Sequence, residues 1–321
     1  MSDAIARFQA WRRSLPRPPR LQPFEITVRG LRFAVWRTPE HDGMRGKVPL
    51  CCINGGLLFD HRLLWPALSP LAATRPLIFY DQRGRGRTQA PPGPRAARIE
   101  HDAGDVVALR QALGLDRWDL LGHSWGGGIA MLAADSDAAA TRRLVLLNPV
   151  GTHADPWLPS LTERALPRLT SVQQFELRAA HARTRPGAPT AADPDALSDY
   201  ARAIYPAWFA DTTLATLFNP PRSTSITGAA VSARLRAEGY DWRPRLGHRI
   251  GPALILHGVD DLIPVEVARE TAAVLGRDTT RLQLVPGAGH NPFWEAPSIV
   301  FPAIDRFLDA EEPLEPPAPT P

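Results

Sequence analysis

A chain of 321 residues with 44% hydrophobic and 22% charged residues has room for one large or two ordinary domains with an ample core, so neither staples nor metals are needed for stability. That apolar content excludes a disordered or fibrous chain, and no apolar run approaches the roughly 18–20 residues of a membrane-spanning helix. The formal charge of +4 is unevenly spread: Arg7, Arg12, Arg13, Arg17 and Arg20 crowd the first twenty residues, while Asp309, Glu311, Glu312 and Glu315 crowd the last thirteen. The long middle is close to neutral, so no basic face for nucleic acid follows.

Taken in chain order, 1–23 reads as a short basic helix ending before Pro16 and then a Pro/Arg linker, a loosely attached arm. Short apolar runs bounded by turns predict strands near 24–29, 31–37, 48–54, 76–81, 118–123, 143–148, 253–258 and 281–286. Several are apolar at consecutive positions, such as Leu50-Cys51-Cys52-Ile53 and Leu144-Val145-Leu146-Leu147, which suits strands buried on both faces. Helical spacing is predicted over 61–74, 99–113, 125–134, 264–275 and 297–308. The first two strands, joined tightly near Gly30, read as an antiparallel hairpin at the sheet edge. Alternation of this kind implies an α/β fold with a mostly parallel eight-stranded sheet flanked by helices. The core is expected at 24–151 and 247–310. Between them, 152–246 breaks the alternation and reads as an inserted helical cap. The tail 311–321, rich in Pro and Glu, reads as disordered.

Cys51 and Cys52 are the two cysteines, and as neighbours in a strand-like run they read as buried thiols. With no secretory signal pattern in the first residues, this points to a reducing, cytoplasmic setting.

The strongest chemical signal is Gly122-His123-Ser124-Trp125-Gly126-Gly127, a G-x-S-x-G turn between a predicted strand and a predicted helix. A serine there sits on a sharp turn with its hydroxyl exposed, and the following helix points its N-terminal N–H groups at a developing oxyanion. A bare hydroxyl needs a base. His290, in the Gly-rich loop Pro286-Gly287-Ala288-Gly289-His290 after the last strand, is the candidate. Its orienting carboxylate comes from Asp260-Asp261 at the end of strand 253–258; Asp261 is preferred, with Asp260 the alternative. The order Ser, Asp, His is that of α/β-hydrolases. Oxyanion donors are expected from the N–H of Trp125 and, in Asn54-Gly55-Gly56-Leu57, the N–H of Gly56.

The chain resembles α/β-hydrolases of the proline iminopeptidase-like family over about 24–310. The likeness rests on Tyr80-Asp81-Gln82-Arg83-Gly84-Arg85-Gly86-Arg87-Thr88 and on the Ser-Trp-Gly elbow. It departs from the family where Asn54 and Leu57 flank the Gly pair in place of His and Pro, and where His123 precedes the serine in place of Gly. The resemblance implies a serine hydrolase with Ser124 as nucleophile, His290 as base and Asp261 as its partner, releasing N-terminal proline from a short peptide or other small molecule, without cofactor, metal, nucleic acid or membrane. Esterase or carbon–carbon hydrolase activity stays open, as does a catalytically silent binding module. In the family, acidic residues of the cap take the substrate ammonium. Glu238 is the first choice here, ahead of Glu163, Glu176, Asp211 and Asp241. Trp208 and Phe209, with Trp157, Phe175, Tyr205 and Phe218, are candidates for an apolar pocket. Oligomeric state is not legible.

Overall fold

The structure is a computed structural model and describes residues 3–93, 96–218, 220–246, 250–276 and 278–310. The acidic tail 311–321 and the expected boundary at 247 lie outside the described residues. In chain order the strands are β1 (Gln22–Val28), β2 (Leu31–Arg37), β3 (Leu50–Ile53), β4 (Leu77–Tyr80), β5 (Trp118–His123), β6 (Thr141–Leu147), β7 (Ala253–Gly258) and β8 (Thr280–Val285). The α-helices are α1 (Asp3–Ser14), α2 (Ile99–Ala112), α3 (Trp125–Ser136), α4 (Leu161–Ala165), α5 (Ser171–Thr184), α6 (Pro194–Ile204), α7 (Ile226–Glu238), α8 (Val265–Leu275), α9 (Pro292–Glu295) and α10 (Pro297–Asp309).

All eight strands form one sheet in the order β1-β2-β4-β3-β5-β6-β7-β8. The β1–β2 hairpin and the β2–β4 pair are antiparallel, and every pairing from β4 to β8 is parallel. Period-2 alternation divides the apolar strands between two cores. Leu120, Leu144, Leu146 and Ile255 face Val106, Leu109, Ile129 and Leu132 of α2 and α3. Leu121, Val145, Leu147 and Leu256 face Leu64, Leu68, Ile304 and Phe307 on the other side. The chain steps from β3 to β4 on one side and then to β5 on the other. The reversal opens a crevice beyond the carboxyl ends of β3 and β5, where open α/β sheets bind ligands.

Two expectations are corrected. The predicted helix over 61–74 is instead two 3₁₀ pieces, His61–Leu63 and Ser69–Ala73. Pro66 and Pro70 each lack the N–H that a continuous helix requires, although Leu64, Leu68 and Leu71 stay fully buried as their spacing implies. The N-terminal segment is no loose arm. Its helix buries Ala4 and Phe8 beside Phe209 and Leu214, sets Phe8 edge-on to Phe218 and stacks Trp11 on Phe301.

Between β6 and β7 the described residues form α4 to α7 and short 3₁₀ turns, with one isolated bridge from His153 to Asp241. This segment has a core of its own around Leu166, Leu177, Tyr200 and Ile204. Both thiols are free and buried, and burial pushes both thiols up. No helix among the described residues is long and apolar enough to cross a membrane.

Candidate active site

Ser124 lies at the junction of β5 and α3 with φ 56° and ψ −123°, a strained conformation for a side chain with a Cβ. The turn closes because its flanking residues have no side chain. A Cβ on Gly126 would lie 2.1 Å from the Ile53 carbonyl oxygen, and one on Gly122 would lie 2.3 Å from the Gly126 carbonyl oxygen. Gly126→Ala is therefore expected to destabilise the fold by about 3 kcal/mol or more, since both obstacles are backbone. A thermal melt checks this, and a melting temperature equal to wild type would contradict it.

The loop after β3 runs directly beside the serine: a Cβ on Gly55 would approach Ser124 Cβ to 2.6 Å. The Tyr80–Thr88 segment holds that loop from below. Gln82 Nε2 donates to the Asn54 carbonyl at 2.8 Å, and Arg85 Nε donates to the Leu57 carbonyl at 2.8 Å. Arg85 is fully buried and pairs with Asp102 at 2.9 Å, where burial pushes the Asp102 carboxyl up to about 6. Arg83 is buried against Asp105. These arginines are thus spent inside the fold.

At the other side of the crevice, His290 Nδ1–H donates to Asp261 Oδ2 at 2.9 Å. Asp261 is buried and also accepts from Asn148 Nδ2 at 2.6 Å and from the Ile263 N–H at 3.2 Å. Burial opposes its charge, but His290, His257 and Asn148 outweigh that and hold the carboxyl below the usual range. Of the two neighbouring aspartates, it is Asp261 whose carboxylate meets His290. Neither aspartate caps α8, whose N-cap is Pro264.

His290 is gripped from three sides. Its N–H donates to the Trp208 carbonyl at 2.7 Å, and the Trp208 ring lies 4.2 Å from its imidazole. Its carbonyl accepts from His123 Nε2–H at 2.9 Å. His123 is buried, and burial, then the neighbouring His290, push its imidazole down to about 3, so it stays a neutral donor. Glu295 ties the same loop to the inserted segment. Its carboxylate accepts from the N–H groups of Gly289, Asn291 and Ala210, and burial pushes it up to about 7 against their pull.

Ser124, Trp125, Gly55, Gly56, His123 and His290 line one cavity of about 540 Å³, with Trp208 and Trp157 in its wall. Among the described residues no hydrogen bond joins the Ser124 hydroxyl to His290; such contacts often close only when substrate binds.

The substrate candidates divide. Trp208, Trp157 and Tyr205 line the cavity. Phe209 does not: it is fully buried among Tyr205, Phe218 and Trp294, a core residue beneath α1. Phe175 is 75% exposed on α5, outside the cavity. Glu238 reaches the cavity wall, but its carboxylate pairs with Arg234 at 3.1 Å and is 60% exposed. Glu163, Glu176, Asp211 and Asp241 are outside the lining. The supporting roles of Asn148, His123 and Glu295 are absent from the sequence reading. Asn148 had a usable signal, a polar side chain at the carboxyl end of a buried strand.

Asp60, His61 and Asp81 bring ligand atoms within 4.8 Å of one another. Their atoms are already engaged: Asp60 by Arg62, and Asp81 by His61 Nδ1 at 2.8 Å and by the Arg87 N–H. They read as bracing beneath the loop after β3.

The geometry meets its relatives here. A model of the alpha/beta hydrolase fold matches residues 48–297. The chain belongs to the α/β-hydrolase family. The hydrolase is similar to the proline iminopeptidase of Lactobacillus delbrueckii subsp. lactis, at 26% identity over 287 residues, 84% of this chain and 93% of that one. A shorter stretch of 125 residues is 33% identical to the proline iminopeptidase of Heyndrickxia coagulans, covering 39% of the hydrolase and 42% of that protein. Among solved structures, VinJ matches 91% of the hydrolase and 99% of its own chain with a TM-score of 0.70 at 21% identity, a likeness of fold.

Proposed function

We propose that this hydrolase opens amides or esters through an acyl-enzyme on Ser124, and that its substrates are short peptides or amides with N-terminal proline. The observation that carries the reading is the strained Ser124, held at the cavity that His290, paired behind it with the buried Asp261, also lines. In this reading Ser124 Oγ attacks the scissile carbonyl and His290 Nε2 takes its proton. The tetrahedral oxyanion is held by the N–H groups of Gly56 and Trp125. Collapse expels the leaving amine, which receives the proton from His290. Water then attacks the acyl-enzyme by the same route and frees the acid. Asp261 stays ionised throughout and stabilises the imidazolium. The proline preference is supported by the relatives of that name.

A second reading, an esterase for apolar acyl groups, is favoured by the pairing of Glu238 with Arg234, which occupies the first-choice ammonium acceptor. Purified protein with proline β-naphthylamide, other aminoacyl naphthylamides and p-nitrophenyl butyrate separates the two. The first reading predicts the highest kcat/KM of the amide series for proline. Ester turnover with no cleavage of the proline amide would replace it with the second.

A further inference from the structure

Four polar side chains stand together in the cavity wall contributed by the inserted segment: Thr162, His181, Tyr200 and Arg236. Tyr200 OH and Thr162 Oγ1 share a hydrogen bond at 2.9 Å, and Thr162 Oγ1 in turn bonds His181 Nδ1. The Arg236 guanidinium lies over the Tyr200 ring, 4.4 Å from its centroid. Stacking occupies a face of the guanidinium and leaves its N–H edge open to a planar acceptor. The neighbouring Arg234 has its carboxylate in Glu238, whereas Arg236 has no ion-pair partner among the described residues. A half-buried guanidinium in the cavity wall with no ion pair among the described residues is electrostatically incomplete.

We infer that Arg236, beside the hydrogen-bonded chain Tyr200–Thr162–His181, which keeps at most one proton free to donate, forms a subsite for a substrate carboxylate remote from the scissile carbonyl. The inference rests on the reading of this cavity as the hydrolytic one and adds a substrate class to it. A carboxylate fits better than a phosphate dianion. Arg236 presents a planar fork, stacked on Tyr200, which matches a two-oxygen planar acceptor. In a peptide that group is the free C-terminus; in an ester it is a terminal carboxylate of the acyl chain.

The test uses the full chain carrying Ser124→Ala, so that binding is read without turnover. Two matched pairs are titrated by calorimetry: Pro-Gly-Gly against its C-terminal amide, and monomethyl adipate against methyl hexanoate. In at least one pair the carboxylate is expected to bind about tenfold tighter, and the pair that shows it names the source. Adding Arg236→Gln, with folding checked by circular dichroism, should remove the preference. No preference in either pair, or a preference that survives Arg236→Gln, overturns the subsite. Turnover by the wild-type chain is measured separately, so failure of the hydrolytic reading is told apart from failure of this one.

Discussion

Ser124→Ala is expected to lower kcat by about 10⁶-fold on whichever substrate proves best, because removing the nucleophile disables the whole unit. The fold should not suffer. The Ser124 backbone N–H donates to the Leu147 carbonyl at 3.0 Å and its carbonyl accepts from Gly127 at 2.9 Å, and neither bond involves the side chain. The strain at φ 56° resides in the backbone and Cβ, so Ser124→Gly is expected to be equally inactive yet more stable by about 1 kcal/mol. Steady-state kinetics and thermal melts on the two variants check both halves. An alanine variant retaining a tenth of wild-type activity would refute the nucleophile assignment, and a glycine variant less stable than wild type would refute the strain.

Asp261→Asn is the second large effect, a loss of about 10⁴-fold in kcat with little change in KM. Every polar neighbour of this carboxylate is a donor: His290 Nδ1 and Asn148 Nδ2 on Oδ2, and the Ile263 N–H on Oδ1. An amide must therefore present its NH₂ to one side. If it faces His290, the imidazole must accept at Nδ1 and carry its proton on Nε2, which leaves no base for Ser124. If it faces Ile263, two N–H groups oppose each other inside the fold, and His290 keeps only a neutral carbonyl in place of the charge that stabilises its imidazolium. Asp260→Asn should leave kcat near wild type, because it is the Asp261 side chain that contacts His290. Kinetics on the two variants settle the pair, and equal losses would contradict the assignment.

The sheet was legible because its strands are apolar at successive positions and end in turns; all eight fall within a few residues of their expected ranges. The meeting of Ser124 and His290 at one cavity was legible because loop glycines flank both. Asp261 was harder, since Asp260 also sits at the end of β7 and only three-dimensional contacts distinguish them. The docking of α1 was not legible. Its aromatic partners, Phe218 and Phe301, lie some two to three hundred residues away, and no local pattern reports such contacts. Phe209 was misjudged for the same reason: aromatic content in an inserted segment does not say which rings face inward. The ion pair of Glu238 was itself legible. Arg234 stands four residues before it on one helical face, a spacing that pairs opposite charges.

The central claim is that Ser124 forms a covalent bond with substrate carbon. A fluorophosphonate probe reads it most directly, followed by intact mass and peptide mapping of the labelled wild-type protein. The account predicts one adduct per chain, on Ser124, and no labelling of the Asp261→Asn and Ser124→Ala proteins under the same brief exposure. A folded wild-type protein that takes up no probe, or takes it up on a different residue, would contradict it.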